Sequence, residues 1–428
     1  MEALSIQKAM QHGEGRVKIR GWVYRERGSN KFRFIIIRDS TNIIQCIFEK
    51  EVFQEEFEEL KSVQLETSIE VQGIIKKDDR APSGYEIQAE KFEIIGSSDN
   101  FPIQKDQSQE LLNDNRHLWL RSRKMTSILK IRSTIFGAIH EYFRNQEFYE
   151  FHSPILQSTQ SEGGSEVFEV KYFDTKLYLA QTWQLPAEAG IFALEKIYTI
   201  APSFRAEKSK TSRHLTEYWH AEMEMAWSNF DDIIDHGESL LKHVLKKVLE
   251  QNKEELKLLE RDTEELEISA NRPFTRMTYT EALKILKEKC NLDVEWGKDL
   301  RTIEEDELSK LYKTPIVVSH YPKKVKAFYM KEAENDTVLG CDFIAPSGYG
   351  EIIGGSQREE NIDQIKLRLK EQGENPDDYD FYLDTRRYGS VPHGGFGMGV
   401  ERIIAWICGL DHIRDAIPFP RTMLRYHP

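Results

Sequence analysis

Residues 196–227 read KIYTIAPSFRAEKSKTSRHLTEYWHAEMEMAW. The segment 196–207 has the apolar character of a strand, 208–214 is a basic loop, and 217–227 reads as a strand returning beside the first. Side chains alternate along a strand. Trp219, Ala221, Met223, Met225 and Trp227 therefore fall on one face, and Tyr218, His220, Glu222 and Glu224 on the other. Arg205 and Glu207 likewise share a face of the first strand. A strand face of mixed charge is usually solvated. Here the carboxylates are interleaved with large apolar residues, which predicts partial desolvation and a need for partners. An arginine, two glutamates and an aromatic on one face suit a ligand carrying phosphate, ammonium and a flat base.

Upstream of this hairpin the chain changes character. Residues 17–23, 32–38, 43–48, 68–75 and 85–95 are β-rich and separated by turn residues, with an acidic amphipathic stretch at 52–60 as the one expected helix. Five strands with a helix after the third match the OB-fold barrel. A polar segment without period, within 96–115, reads as a linker. From Leu118 helices alternate with strands. Residues 123–144 carry Ile128, Ile131, Ile135 and Ile139 at helical spacing, and further helices are expected at 231–260 and near 279–289.

Downstream, Asp342 and Glu351 lie on two expected strands joined by a Pro-Ser-Gly turn. Paired hard carboxylates can hold Mg²⁺ against nucleotide phosphates or simply face solvent on a hairpin. His393-Gly-Gly-Phe-Gly-Met-Gly leads into a short helix stopped by Gly409. Arg402 falls in the first turn of that helix, where the positive end of the dipole and a guanidinium together form an anion site.

The whole-chain numbers exclude several classes. At 428 residues more than one domain is expected, and 39% hydrophobic with 31% charged residues fits a globular chain. A net charge of −13 argues against coating nucleic acid by bulk charge but leaves room for a local basic patch. Cys46, Cys290, Cys341 and Cys408 form no CxxC pair, so free thiols in a reducing cytoplasm are expected. No run approaches a membrane span or a signal core.

The string Phe204-Arg-Ala-Glu-Lys-Ser-Lys-Thr-Ser-Arg-His-Leu-Thr-Glu-Tyr218 resembles motif 2 of the class II aminoacyl-tRNA synthetases, in the aspartate/asparagine/lysine subgroup. The resemblance runs nearly end to end. It implies an α+β chain: an OB-fold anticodon-binding barrel over 1–98, a hinge at 99–117, and a catalytic domain over 118–428 built on a mainly antiparallel sheet flanked by helices. It further implies that Arg205 holds the ATP α-phosphate, Glu207 reads the adenine amino group, Tyr218 stacks on adenine, and His214 and Leu215 line the ATP site. The stretch around Arg402 resembles motif 3, with Arg402 near the γ-phosphate. Pro154 resembles the motif 1 proline at a homodimer interface. Asp342 and Glu351 match the positions that bind ATP-linked magnesium, with Gly354 where some relatives have a serine ligand.

The resemblance also implies an amino-acid pocket. Arg358 matches the side-chain reader, Glu162 a mobile loop that binds the substrate ammonium, and Gln184 and His393 further contacts. Aspartate and asparagine share a shape and differ in charge, so discrimination must be electrostatic. Aspartyl relatives carry a lysine three residues after the Gln matching Gln184; here that position is Ala187. Glu222, matching an Asp of aspartyl relatives, favours an NH₂ group over a carboxylate, and the tract 350–359 looks asparaginyl. Pro186 departs from the aromatic common in relatives.

In the first hundred residues, Arg16, Lys18, Arg20, Arg25, Arg27, Lys31, Arg33 and Arg38 cluster with Phe32 and Phe34. Basic residues interleaved with aromatics suit single-stranded RNA. The resemblance implies Phe34 stacking on an anticodon base, with Arg25 and Gln45 beside it. The expected activity is ATP-dependent ligation of L-asparagine to tRNA(Asn) through an adenylate, in the cytoplasm. The rivals are an aspartyl enzyme charging one or both tRNAs, an aspartate-amidating paralogue, and a nonenzymatic RNA-binding paralogue.

Overall fold

Val17, Ile19, Val23, Ile35, Ile37, Ile44, Cys46 and Val71 are all buried because the strands carrying them close into a barrel. The structure, a computed structural model, describes residues 1–104, 106–161, 167–208 and 211–427. It divides into two units, Met1–Asn115 and Arg116–Pro428. In the first, Ile6–His12 (α1) precedes β1 (Gly15–Gly28), β2 (Phe32–Arg38), β3 (Ile43–Glu49), β4 (Ser68–Lys77) and β5 (Tyr85–Gly96). The closed order is β1-β2-β3-β5-β4, as the OB reading requires.

Two details differ from expectation. The single helix expected at 52–60 is two, Lys50–Phe53 (α2) and Glu56–Ser62 (α3), broken at Gln54, whose φ is 41°. With that break Phe53, Phe57 and Leu60 all join the barrel core. Within the segment read as a linker, Ser108 caps a short helix, Gln109–Asp114, by accepting a hydrogen bond from the Leu111 N–H.

The second unit is built on an eight-stranded sheet. Its strands are β6 (Tyr149–Glu150), β7 (Lys196–Phe204), β8 (Glu217–Ala226), β9 (Thr275–Thr278), β10 (Ile316–Ser319), β11 (Gly340–Ala345), β12 (Gly350–Gln357) and β13 (His393–Gly399). The order is β9-β10-β11-β12-β13-β8-β7-β6, antiparallel through the centre and parallel only at the two edge pairs. One face is covered by the long helix Arg123–Asn145 (α4), whose Ile128, Ile131, Ile135 and Ile139 are buried as their spacing predicts. There the Phe136 ring meets Trp219 of β8 edge-on, 5.7 Å between centroids. Residues 231–260, read as one helical region, form the helix Phe230–Gln251 and the separate helix Lys253–Leu258. Among the described residues no helix is long and apolar enough to cross a membrane.

Candidate active site

Thr199, Glu222, Gly397, Gly354 and Asp342 are successive neighbours across β7, β8, β13, β12 and β11. Directly opposed residues point to the same side of a sheet. The carboxylates of Asp342 and Glu222 therefore stand at two ends of a floor made of two glycines. A Cβ on Gly397 would lie 2.5 Å from His220 Nε2, so only glycine keeps this floor open. The glycine-rich stretch before Arg402 is a strand at the centre of the sheet.

Above the floor is a cavity of about 510 Å³ lined by Thr182, Gln184, Arg205, Glu222, Asp342, Glu351 and Arg358, among others. Arg205, His220, Glu351 and Gly397 also line an adjoining cleft with His214, Leu215, Tyr218 and Arg402. The predicted residues for phosphate, base and amino acid are thus brought together, with the exceptions given below.

At the cleft end, strand pairing stops at Phe204 and Glu217, so Arg205 and Glu207 lie in the connecting loop and not on the strand. The Arg205 guanidinium sits over the Tyr218 ring, 5.8 Å from its centroid, and 3.9 Å from Glu207. Glu207 is also 3.4 Å from His214, whose pKa is lowered by burial and by the Arg402 charge. The helix carrying Arg402 begins at Val400 and ends at Cys408, placing the arginine in its first turn. Its NH1 donates to the Glu351 carbonyl at 2.7 Å and lies 3.5 Å from the carboxylate. Next to it, Glu401 anchors the helix by accepting from Arg132 of α4 at 2.6 Å and from the Trp219 N–H at 2.9 Å.

Asp342 and Glu351 converge on Gly354: a Cβ built there would be 3.0 Å from Glu351 Oε1 and 3.7 Å from Asp342 Oδ1. Burial pushes Asp342 up to about 6, with Lys326 opposing and Glu351 adding to the shift. Burial also raises Glu351, but the charges of Arg402, Lys326 and Arg205 outweigh it and hold the carboxyl low. Glu305, on a helix Thr302–Ser309, is pushed up to about 7 by burial and by Glu351. Hard oxygens crowded in this way fit a divalent cation, which would relieve their repulsion. Among the described residues no group of three or more His, Cys, Asp or Glu encloses a metal. The pair therefore suits a cation whose remaining ligands are phosphate oxygens and water.

At the other end of the cavity, Glu222 is buried and accepts from the Thr182 hydroxyl and, at 2.9 Å, from the Trp183 N–H. Arg358 donates to both Glu224 oxygens and, at 2.7 Å, to Ser356 Oγ. Gln184 opens the helix Gln184–Leu194, and its Nε2 donates to Glu188 at 2.9 Å. Ala187 packs with Trp183, Ile191 and Ile197 in an apolar cluster. His393, expected to touch the amino acid, does not line the cavity: it is fully buried, 2.7 Å from the Val391 carbonyl and 3.1 Å from Glu188. Glu162 lies outside the described residues.

Several residues here have no signal in the sequence. Lys326 pairs with Asp342 at 2.7 Å from a loop without a recognisable pattern. Arg213, a loop residue of the motif string, bonds Asp306 and the Gly348 carbonyl and lies 3.8 Å from Glu305. Glu188 and Arg386 meet at 2.6 Å although far apart in sequence.

On the barrel, a bulge between Val23 and Arg25 shifts the β1 register. Strict alternation would put Arg25 and Arg27 on the core side with Val23; the bulge turns them outward. Arg27 then pairs with Phe34, its guanidinium 5.3 Å from the ring centroid, and Arg25 with Ile36, which neighbours Gln45. The Gln45 amide donates to Glu86 at 3.3 Å and its oxygen accepts from Arg27 at 3.4 Å. The basic cluster is less uniform than the sequence suggests. Arg16, Lys18, Arg20, Arg33 and Arg38 are paired with Glu90, Glu70, Glu26 and Glu66. Among the described residues Arg25, Arg27 and Lys31 make no ion pair, and Arg27 is the one over the Phe34 ring. Pro154 is exposed, next to exposed Ile155 and Leu156.

Comparison with known proteins adds three findings. Residues 108–423 match the class II tRNA synthetases for D, K and N, and residues 17–95 match an OB-fold nucleic-acid-binding domain. The chain is 48% identical over 415 residues to an asparagine–tRNA ligase of Thermococcus gammatolerans, covering 96% of each chain. It is 45% identical to that of Symbiobacterium thermophilum over the whole of both. Its structure superposes on asparaginyl-tRNA synthetase from Pyrococcus horikoshii complexed with asparaginyl-adenylate, with a TM-score of 0.96 and 46% identity over the full length of both.

Proposed function

The chain belongs to the class II tRNA synthetases of the aspartate, lysine and asparagine group, and from that premise we propose that it ligates asparagine to tRNA(Asn). The observation that carries this reading is the sheet row from Asp342 to Glu222. It joins a phosphate-side carboxylate to an amide-side one across a bare glycine floor.

In the first step the asparagine carboxylate oxygen attacks the ATP α-phosphorus in line. The bond to the bridging oxygen breaks, pyrophosphate leaves, and asparaginyl-adenylate forms. Arg205 binds the α-phosphate and Arg402 the γ-phosphate, so their charges stabilise the oxygens on which negative charge grows. Glu207 accepts from the adenine amino group, and Tyr218 stacks on the base near His214 and Leu215. Asp342 and Glu351 would hold Mg²⁺, which shields phosphate charge when bound. Glu222 and Arg358 face the side-chain amide as acceptor and donor, Gln184 completes that wall, and Glu162 is assigned to the substrate ammonium. In the second step the 3′-hydroxyl of the terminal tRNA ribose attacks the adenylate carbonyl, and AMP leaves.

The barrel reads the anticodon through Phe34, Arg25 and Gln45, by stacking and hydrogen bonding. The exposed apolar run at Pro154–Leu156 supports a homodimer contact, and an enzyme that charges tRNA for translation would act in the cytoplasm. Purified protein with ATP, labelled amino acid and tRNA(Asn) transcript tests the reading. Asparagine is expected to become acid-precipitable with release of AMP; charging by aspartate alone would refute it.

A further inference from the structure

Glu188 is fully buried, and each of its oxygens is engaged. Oε1 accepts from the Gln184 amide at 2.9 Å and lies 3.8 Å from Arg358 Nε. Oε2 is 2.6 Å from Arg386 and 3.1 Å from His393 Nε2. Two of these partners, Gln184 and Arg358, line the cavity; the other two do not. Arg386 is fixed in place: it lies 4.1 Å from the Tyr382 ring centroid and donates to the Tyr382 hydroxyl at 2.7 Å and the Glu359 carbonyl at 3.0 Å. Glu188 thus connects the cavity wall to an immobile buried cation.

The charges at this end can be counted. Arg358 and Arg386 supply two positive charges against the carboxylates of Glu188 and Glu222, while burial pushes Glu224, the other partner of Arg358, up to about 7. The arginines therefore do not exceed the carboxylates that face them. Removing the Glu188 charge would leave this end one unit more positive. A buried cation left without its carboxylate is a strong attractor for an anion. Aspartate differs from asparagine by one such charge, so its rejection depends on the balance of the whole wall and not on the nearest group alone.

We propose that Glu188 is a specificity-determining positioning residue, which neutralises Arg386 behind the cavity and orients Gln184 and Arg358 in its wall toward a neutral side chain. The proposal rests on the assignment of this cavity to the amino acid. Consistent with a permanent charge, Arg386, His393 and Arg358 together overcome burial and hold the Glu188 carboxyl well below the usual range.

The test is ATP–pyrophosphate exchange by the full-length protein, with asparagine and aspartate measured separately. Glu188→Gln keeps the shape and removes the charge. Its ratio of kcat/KM for asparagine over aspartate should fall about tenfold or more, through a lower KM for aspartate, with KM for ATP unchanged. Glu188→Asp keeps the charge and should hold the ratio within about threefold of wild type even where kcat drops. Parallel loss with both amino acids at constant ratio in Glu188→Gln would overturn the proposal, as would an equal collapse of the ratio in Glu188→Asp. Arg358→Ala separates the two layers. If it abolishes asparagine activation while Glu188→Gln leaves the ratio unmoved, the cavity assignment stands and the role of Glu188 fails. Unimpaired asparagine activation in Arg358→Ala would remove the assignment and the proposal together.

Discussion

The sheet site and the barrel face both use arginines beside aromatics, but they are held in different ways. In the catalytic unit Arg358 and Arg386 are buried, the first paired with Glu224 and the second with Glu188, with fixed partners on several elements. On the barrel, Arg25, Arg27 and Phe34 lie on an outward face, and most neighbouring cations are already paired with glutamates across the strands. A buried network sets charge and geometry together, and a change at one member is felt by all. An exposed stacking face adds separable increments that salt and solvent weaken.

That contrast orders the expected effects. The largest is for Arg205→Ala, which removes a cation from the reacting phosphate. Pyrophosphate exchange should fall by about 10²–10³ or more, while filter binding of tRNA stays close to wild type; equal loss of both would erase the distinction between the two regions. Gly397→Ala comes next. Its new methyl would meet His220 at 2.5 Å and displace the floor, and a misplacement of this size costs about 10² in kcat. Exchange kinetics alongside a melting curve check this, and near-normal exchange would show that the floor is not built to tolerance. The smallest is Phe34→Ala. Loss of one stacking contact should raise KM for tRNA by about tenfold and leave exchange untouched; a change in exchange would mean the face is not a separate reader.

How much of this is legible in the sequence follows from the same physics. The hairpin at 196–227 announces itself because period two sorts Trp219 from His220 and Glu222, and the structure sets Trp219 against Phe136 and the other two on the cavity, whereas the strand ends at Ala226 and leaves Trp227 exposed. The barrel strands are legible for the same reason. Glycine, by contrast, is depleted in strands, so His393–Gly399 reads as a loop although its register fixes the floor of the cavity. The bulge at Val23–Arg25 has no local signature, yet it decides which arginines face outward. Glu188, Arg386 and Lys326 are ordinary charged residues in one dimension; only long-range pairing makes them part of a site. His393 is the opposite case. It sits in a recognisable motif, but its ring is engaged by Glu188 and the Val391 carbonyl, away from the cavity.

The central claim is that a pocket without excess positive charge selects a neutral amide over a carboxylate. Pyrophosphate exchange with asparagine and with aspartate, side by side on the wild-type protein, tests it most directly. Asparagine should support exchange with kcat/KM about 10² or more above aspartate. Equal exchange with the two amino acids, or faster exchange with aspartate, would contradict it.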